Sequence, residues 1–376
     1  MFERIRRMLV KELLQVVRDP RMRIVIFITP CIQTIIIGYA VTLDVSHVRT
    51  AVYDLDNSVD SRQLVSEFTG SGYFDAVEHV ADDGRARELL DRGAVTLVLR
   101  INHGFAEDLR AGRTAPVQLL VDGTDSNTAG IVLGYANRIL GAASERILVE
   151  RFNRQTGMSR PASLVELRSR AWFNANLESR WFFVPGVLVV VVSLATLVLT
   201  AMAVVREKEI GTMEQVLVTP ITPAEFILGK TVPFALIGYV DVILVTLVGV
   251  YWFGVPIRGS IALLFGGSTL YLMTMLGVGL LISTISHTQQ QAMMSVFFFF
   301  FPAMLLSGFA FPIANMPQVI QWLTLFNPLR YFLVVVRGIF LKGVGADVLW
   351  PELAVLAAMA VATLALAALR FRKTLS

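Results

Sequence analysis

Glu207, Glu209 and Glu214 are the residues whose type and spacing first suggest a task. They stand in Arg206–Lys230, REKEIGTMEQVLVTPITPAEFILGK, a charged island between apolar runs at 184–205 and 231–254. Carboxylates on an exposed loop serve ionic contact with a partner. The island also carries a helix start. Thr222-Pro223-Ala224-Glu225 fits a capping box, with Thr222 as N-cap, Pro223 at the first helical position and Glu225 reaching back to the cap N–H. A loop that only reversed the chain would be shorter and less structured, so this one reads as a folded contact element at a membrane surface.

Inside the apolar runs the sharpest residue is Asp241, near the middle of 231–254. An acid at that depth is costly and faces protein or water. Two roles fit it: a place on a translocation path or in a moving helix contact, or a hydrogen bond to a neighbouring span. Phe297–Phe301, with Phe298 and Phe301 among them, covers every face of its run. It fits a hydrophobic path or gate, and equally a surface facing lipid or other spans. Pro302 is expected to kink that run, and Pro30, beside Gln33, to do the same in the first. Ser193, Thr196 and Thr200 share one helical face and are suited to binding a neighbouring helix.

Other chemistries lack their residues. The chain contains no G-x-x-x-x-G-K-[ST] phosphate loop, so hydrolysis of nucleotide by this chain is not expected. His47, His79, His103 and His287 are scattered without metal-ligand spacing, and no metal or catalytic set is expected. The single cysteine, Cys31, lies in an apolar run and leaves no disulfide within the chain.

The elements that must position these residues follow from composition. The 376 residues are 55% hydrophobic and 16% charged, against about 25% charged in soluble domains. Mean hydropathy is +0.64. Apolar runs at 24–43, 184–205, 231–254, 260–283, 291–311 and 350–369 suit six transmembrane helices. Lysines and arginines cluster in the N-terminal tail, in 206–230 and at the C-terminus, which puts both ends in the cytoplasm. The net charge of +4 follows from that topology and gives no reason to invoke nucleic acid. Residues 1–23 hold an amphipathic helix over 2–18, suited to the membrane interface, or a topogenic leader. Residues 44–183 alternate short β-like and helix-like runs and form an inserted α/β (α+β) extracytoplasmic domain. Strands are expected at Val48–Tyr53, Val95–Leu99 and Val117–Val121, and helices at Ser61–Phe68, Gly84–Arg92 and from Ser126 to about Phe152. Residues 184–376 carry the remaining spans. Within them, 312–343 holds Pro312, Pro317 and Pro328 and a short apolar piece, read as re-entrant on the outer side.

Taken together, the leader VKELLQVVRDPRM, the loop 206–230, the stretch ISTISHTQQQAMM and the segment LLSGFAFPIANMPQVIQWLTLFNPLRYFLVVVRGIF resemble a type-2 ATP-binding-cassette exporter permease, of the subgroup with a large external domain between its first two spans. The resemblance covers most of the chain. It implies a multi-pass inner-membrane half-transporter for hydrophobic or amphipathic compounds. A second permease chain, identical or similar, would pair with it. Two copies of a separate ATPase would dock below and hold ATP and magnesium, with no cofactor on this chain; a periplasmic adaptor is a further partner the subgroup allows. The coupling role of the family's loop falls here on Glu207, Glu209, Gly211, Thr212, Glu214 and Pro220. A membrane receptor or scaffold using the external domain without transport is the alternative.

Overall fold

The computed structural model describes residues 20–40, 47–156, 172–174, 178–211 and 223–374, together with 6, 9, 10, 14, 18 and 45. The expected interfacial helix at 2–18 therefore lies largely outside the described residues. The chain divides into two compact units, 43–169 and the remainder.

The chain begins its described course with a turn of helix at Pro20–Arg23, a π-helical turn at Ile24–Ile28, and α1, Thr29–Ala40. The wide turn has a cause in Pro30. A proline inside a helix has no N–H to donate and clashes with the carbonyl four residues back, and a π-bulge relieves both. Pro30, Thr34 and Gly38 form the buried face of α1, whereas Ile32 and Ile36 on the opposite side are exposed.

The unit at 43–169 runs β1 (Val48–Asp54), α2 (Val59–Gly70), β2 (Phe74–His79), α3 (Asp83–Asp91), β3 (Leu97–Ile101), α4 (Phe105–Ala111), β4 (Val117–Val121) and α5 (Ser126–Thr156). Its sheet has the order β2-β1-β3-β4. β1 is parallel to β2 and β3, and β4 is antiparallel to β3. Leu97, Val98, Leu99 and Ile101 are fully buried, as befits a strand covered on both faces. Leu97, Leu99 and Ile101 pack with Leu64, Phe105 and Val132 from α2, α4 and α5. On the other face Val98 and Ala51 pack with Ala86 and Leu89 of α3. The sequence reading anticipated no strand at Phe74–His79. This edge strand buries only Phe74, so its side chains lack the alternation that marks a strand.

The second unit continues with α6 (Ser179–Ile210), α7 (Pro223–Leu247, prolonged by a π turn at Val248–Trp252), α8 (Ile261–Ile285), α9 (Gln289–Leu305), α10 (Gln318–Leu323), α11 (Pro328–Arg337, prolonged by a π turn at Gly338–Lys342) and α12 (Ala346–Thr374). Among the described residues, four helices are long and apolar enough to cross a membrane: Ser179–Ile210, Leu228–Trp252, Ile261–Ile285 and Ala346–Arg370. Gln318–Phe326 and Pro328–Lys342 form a pair bent by 83°. This is a helical membrane protein. Two of the six expected runs make shorter helices. The run at 24–43 is divided by the π turn, and the run at 291–311 yields only the 17 residues of α9. There Pro302 is followed within a turn by the helix end, and Gly308 takes a left-handed φ of +84° that redirects the chain. The second run begins earlier than expected, since α6 starts at Ser179 and takes in Trp181 and Phe182.

α6 is the central helix. It packs against α1, α7, α8, α9 and α11, and Val187, Val189, Val192 and Leu197 are fully buried. Without a hydrophobic driving force in lipid, such packing relies on close approach at small residues. A Cβ on Gly277 of α8 would collide with Thr363 of α12, and one on Gly279 would stand 2.9 Å from Thr200 of α6. Thr274 of α8 donates to the Leu356 carbonyl of α12 at 3.3 Å. Thus Thr274 meets Leu356 and Gly277 meets Thr363, and the two helices run parallel. Ile26 clusters with Phe234 and Ile237, and Gly38 abuts Phe253, so α1 runs parallel to α7. The starts of α1, α7 and α9 and the ends of α6, α8 and α12 therefore gather at one end of the bundle.

Candidate functional site: the charged end of the bundle

α6 continues beyond its apolar stretch through Arg206, Glu207, Lys208 and Glu209. It stops at Gly211, whose φ of +79° is left-handed and whose N–H donates to the Lys208 carbonyl at 3.2 Å. Glycine takes this C-terminal position without the steric cost other residues meet. The expected loop 206–230 is accordingly much shorter than its charges suggest. Its first five residues belong to α6, and its last eight belong to α7, which starts at Pro223.

Three polar contacts tie the end of α6 to three other helix ends. Lys230 Nζ lies 2.7 Å from Glu207 Oε1, with side chains only 4% and 12% exposed, joining α6 to the first turns of α7. Lys208 Nζ donates to the Ser283 carbonyl at 2.8 Å and the Thr284 carbonyl at 3.4 Å. A cation there satisfies the orphan carbonyls at the end of α8 and complements the helix dipole. Glu209 Oε2 accepts from Gln289 Nε2 at 2.6 Å and from the Gln289 backbone N–H at 3.4 Å, at the start of α9. An anion suits that terminus for the converse reason. The turn between α8 and α9 is fixed as well. Thr288 caps α9 by accepting from the Gln291 N–H at 3.2 Å, and the His287 N–H donates to Gln291 Oε1 at 2.9 Å.

The charged end can therefore pass a push mechanically. The chain leaves at Gly211 and returns at Pro223, and both departure points are locked into the same set of four helices. Of the residues read from sequence, Glu207, Glu209 and Gly211 are in this lock. Thr212, Glu214, Pro220 and Thr222 lie outside the described residues. Glu225 lies in the first turn of α7, and its side chain is not described. Lys208, Lys230 and Gln289 were missed as site residues. The two lysines read only as topogenic charges, and an acceptor that is a backbone carbonyl leaves no signal in a sequence.

Asp241 sits on α7 with 1% exposure. Among the described residues, neither of its carboxylate oxygens has a hydrogen-bond partner. One turn earlier, Gly238 packs against Leu272 of α8 and Thr196 of α6; the Thr196 hydroxyl is likewise without a partner among the described residues. Gln33 is half-buried on α1. Phe298 and Phe301 are 85% and 52% exposed on the outer face of α9, while Phe300 turns inward at 3%. The phenylalanines and Asp241 thus occupy an outer and an inner face.

At the opposite end of the bundle the structure shows a second set of ties that the sequence reading passed over. Arg337 of α11 stacks on the Phe182 ring at 3.7 Å and donates to the Gly308 carbonyl at 3.2 Å. The Gly259 N–H donates to the Ile339 carbonyl at 2.9 Å, and Arg258 Nη1 to the Leu341 carbonyl at 3.0 Å. The link between α7 and α8 is thereby fixed to the bent pair.

A helical bundle with its charged loop held between α6 and α7 matches one known family over nearly its whole length. The family described as ABC-2 family transporter protein matches residues 20–369. The chain belongs to the ABC-2 transporter family. Among its ABC-2 relatives, the probable multidrug ABC transporter permease YbhR of Escherichia coli K12 is 34% identical over 353 residues, 94% of each chain. The probable multidrug ABC transporter permease YbhS of the same organism is 36% identical over 347 residues, 91% of this chain and 89% of that one. The inner membrane transport permease YhhJ, also from Escherichia coli K12, is 34% identical over 330 residues, 86% of this chain and 85% of that one. This ABC-2 protein is thus a multi-pass permease subunit of an ABC transporter.

Proposed function

We propose that this permease moves a hydrophobic or amphipathic compound out of the cytoplasm or the inner leaflet, driven by a separate ATPase that contacts the loop between α6 and α7. ABC-2 permeases work with ATPase subunits. The observation that carries the reading is the lock of Glu207–Lys230, Lys208–Ser283 and Glu209–Gln289. It couples the flanks of one short loop to the ends of four helices, which is what a part that receives motion from below needs. A receptor or scaffold has no use for such an anchored loop.

In this reading two permease chains pair, identical or similar, and two ATPase copies carry ATP and magnesium beneath them. Six helices, α1, α6, α7, α8, α9 and α12, cross the inner membrane with both chain ends cytoplasmic, and the α/β unit stands outside, open to a periplasmic adaptor. The contact to the ATPase comprises Glu207, Glu209, Gly211, Thr212, Glu214 and Pro220, with Thr222 and Glu225 starting the returning helix. ATP binding draws the ATPase subunits together, the loops follow, and the locked helices turn as a body. Substrate binds the two arrangements unequally, so ATP shifts their balance. Asp241 and Gln33 lie on the moving inner faces along the path; Phe298 and Phe301 line it only where a second chain covers α9.

Purification of the chain from its native membrane in mild detergent, with the co-purifying subunits identified and counted, tests this. A Walker-containing ATPase in equal ratio, lost in Glu214→Arg, is the expected result. Recovery with an external partner alone, and no ATPase, would overturn it.

A further inference from the structure

The α/β unit holds a feature that the transport reading does not use. Beneath α5, between α2 and α4, lies a cavity of about 320 Å³. A second of about 290 Å³ adjoins it and shares Leu64, Phe105, Leu109, Ala143, Ile147 and Arg151. Both volumes are near the lower bound for small-molecule sites, about 300 Å³.

Its walls are of two kinds. The shared floor is apolar, made by Leu64, Phe105, Leu109, Ala143 and Ile147. The rim carries four guanidinium groups, Arg110, Arg146, Arg151 and Arg154, against two carboxylates, Asp60 and Glu150. Arg110 reaches Asp60 at 3.1 Å. Arg146 and Arg154 share Glu150 at 3.7 and 3.4 Å; Arg146 also pairs with Glu67. Arg151 donates to the Leu109 carbonyl and has no carboxylate partner among the described residues. The rim pairs involving Arg110 and Arg154 are exposed. Such pairs contribute little to stability, so these arginines can turn to a ligand at small cost. An arginine fork donates two parallel N–H bonds to a carboxylate or phosphate.

We propose that this cleft is a binding site for an amphipathic anion, with its alkyl or aromatic body on the Phe105–Ile147 floor and its carboxylate or phosphate head between Arg110 and Arg151. The excess of guanidinium over carboxylate selects the sign of the head. The apolar floor selects against a bare oxyanion. The site lies wholly within one unit and stands independently of the transport reading.

The test uses the full-length chain in a neutral maltoside detergent, with three photoreactive probes of one alkyl chain: a fatty acid, its phosphate-headed counterpart and the matching alcohol. The acid and the phosphate are expected to label α4 and α5, and their relative labelling shows whether a fatty acid or a lipid phosphate is the preferred source of the head. The alcohol should label about ten-fold less, the value of one charge-assisted hydrogen bond. Arg151→Ala should reduce acid labelling by a similar factor. Arg110→Gln, at a 71% exposed side chain, should reduce it too. Equal labelling by the alcohol, or unchanged labelling in both arginine variants, would overturn the proposal. So would competition by inorganic phosphate at the concentration at which the amphiphile itself competes, since that marks a plain oxyanion site.

Discussion

Lys230 and Glu207 meet at 2.7 Å with almost no access to solvent, although they begin and end opposite sides of a loop. Breaking a buried ion pair by removing one partner is strongly destabilising, by about 3–5 kcal/mol. Lys230→Ala should therefore lower the thermal midpoint in detergent sharply. The double substitution Glu207→Leu with Lys230→Met should recover most of that loss, because a packed apolar pair replaces the ions at little net cost. A double variant no more stable than the single would show that Lys230 acts outside this pair.

Asp241 gives the opposite expectation. Its carboxylate is buried with both oxygens unpaired among the described residues, an arrangement that costs about 1–3 kcal/mol. Asp241→Leu should raise the unfolding temperature while transport falls. Unaltered transport in this variant or in Asp241→Asn would remove Asp241 from the path.

The glycine contacts of α8 make a graded test. Gly277 faces Thr363 without room for a Cβ, whereas a Cβ on Gly266 meets nothing within 4 Å. Gly277→Leu is expected to abolish folded protein in fluorescence-detected size exclusion, and Gly266→Ala to leave the profile as it is. A normal profile for Gly277→Leu would contradict the close packing of α8 on α12.

The α/β unit should respond to acid through Asp56. Its carboxylate accepts from the Gly104 N–H at 2.9 Å and the Ala106 N–H at 3.2 Å, at the start of α4. The Ser58 side chain, and then these backbone donors, hold it below the usual carboxylate range. A depressed value in the folded state stabilises above the unfolded pKa, and that stability is lost as pH falls through the folded one. Asp56→Ala should thus be less stable than the parent at neutral pH and lose the corresponding part of the acid transition. Parallel pH profiles, followed by near-UV circular dichroism, would exclude the role.

Much of the architecture was legible. Charges that interrupt apolar runs are visible in any sequence, so the charged island at Glu207 and the burial of Asp241 could be read directly, although Glu207 itself stands on the last turns of α6 and not in a loop. Three of the four helices and three of the four strands of the α/β unit follow from hydrophobic periodicity, with β3 displaced by only two residues, whereas the short α4 (Phe105–Ala111) was not anticipated. What stayed hidden depends on groups that side-chain type does not record. Lys208 is held by the carbonyls of Ser283 and Thr284. β2 is an edge strand whose backbone, and hardly any of its side chains, joins the sheet. The length of α9 was overread because Phe297–Phe301 and the residues after it stay apolar past Pro302, while the chain turns at Gly308 for reasons of backbone conformation.

The position of β1 bears on how the molecule is made. β1 is the first strand of its unit to be synthesised, and it lies inside the sheet with both parallel partners, β2 and β3, following close behind in sequence. Both pairings close within the unit itself, so the unit can fold once its own residues have been made. α1 has no such neighbour at hand. Its buried stripe of Pro30, Thr34 and Gly38 fits helices from α6 onward, which the ribosome, at about 5–20 residues per second, supplies on the order of ten seconds later. During that interval the buried stripe of the first helix waits for the helices that will cover it.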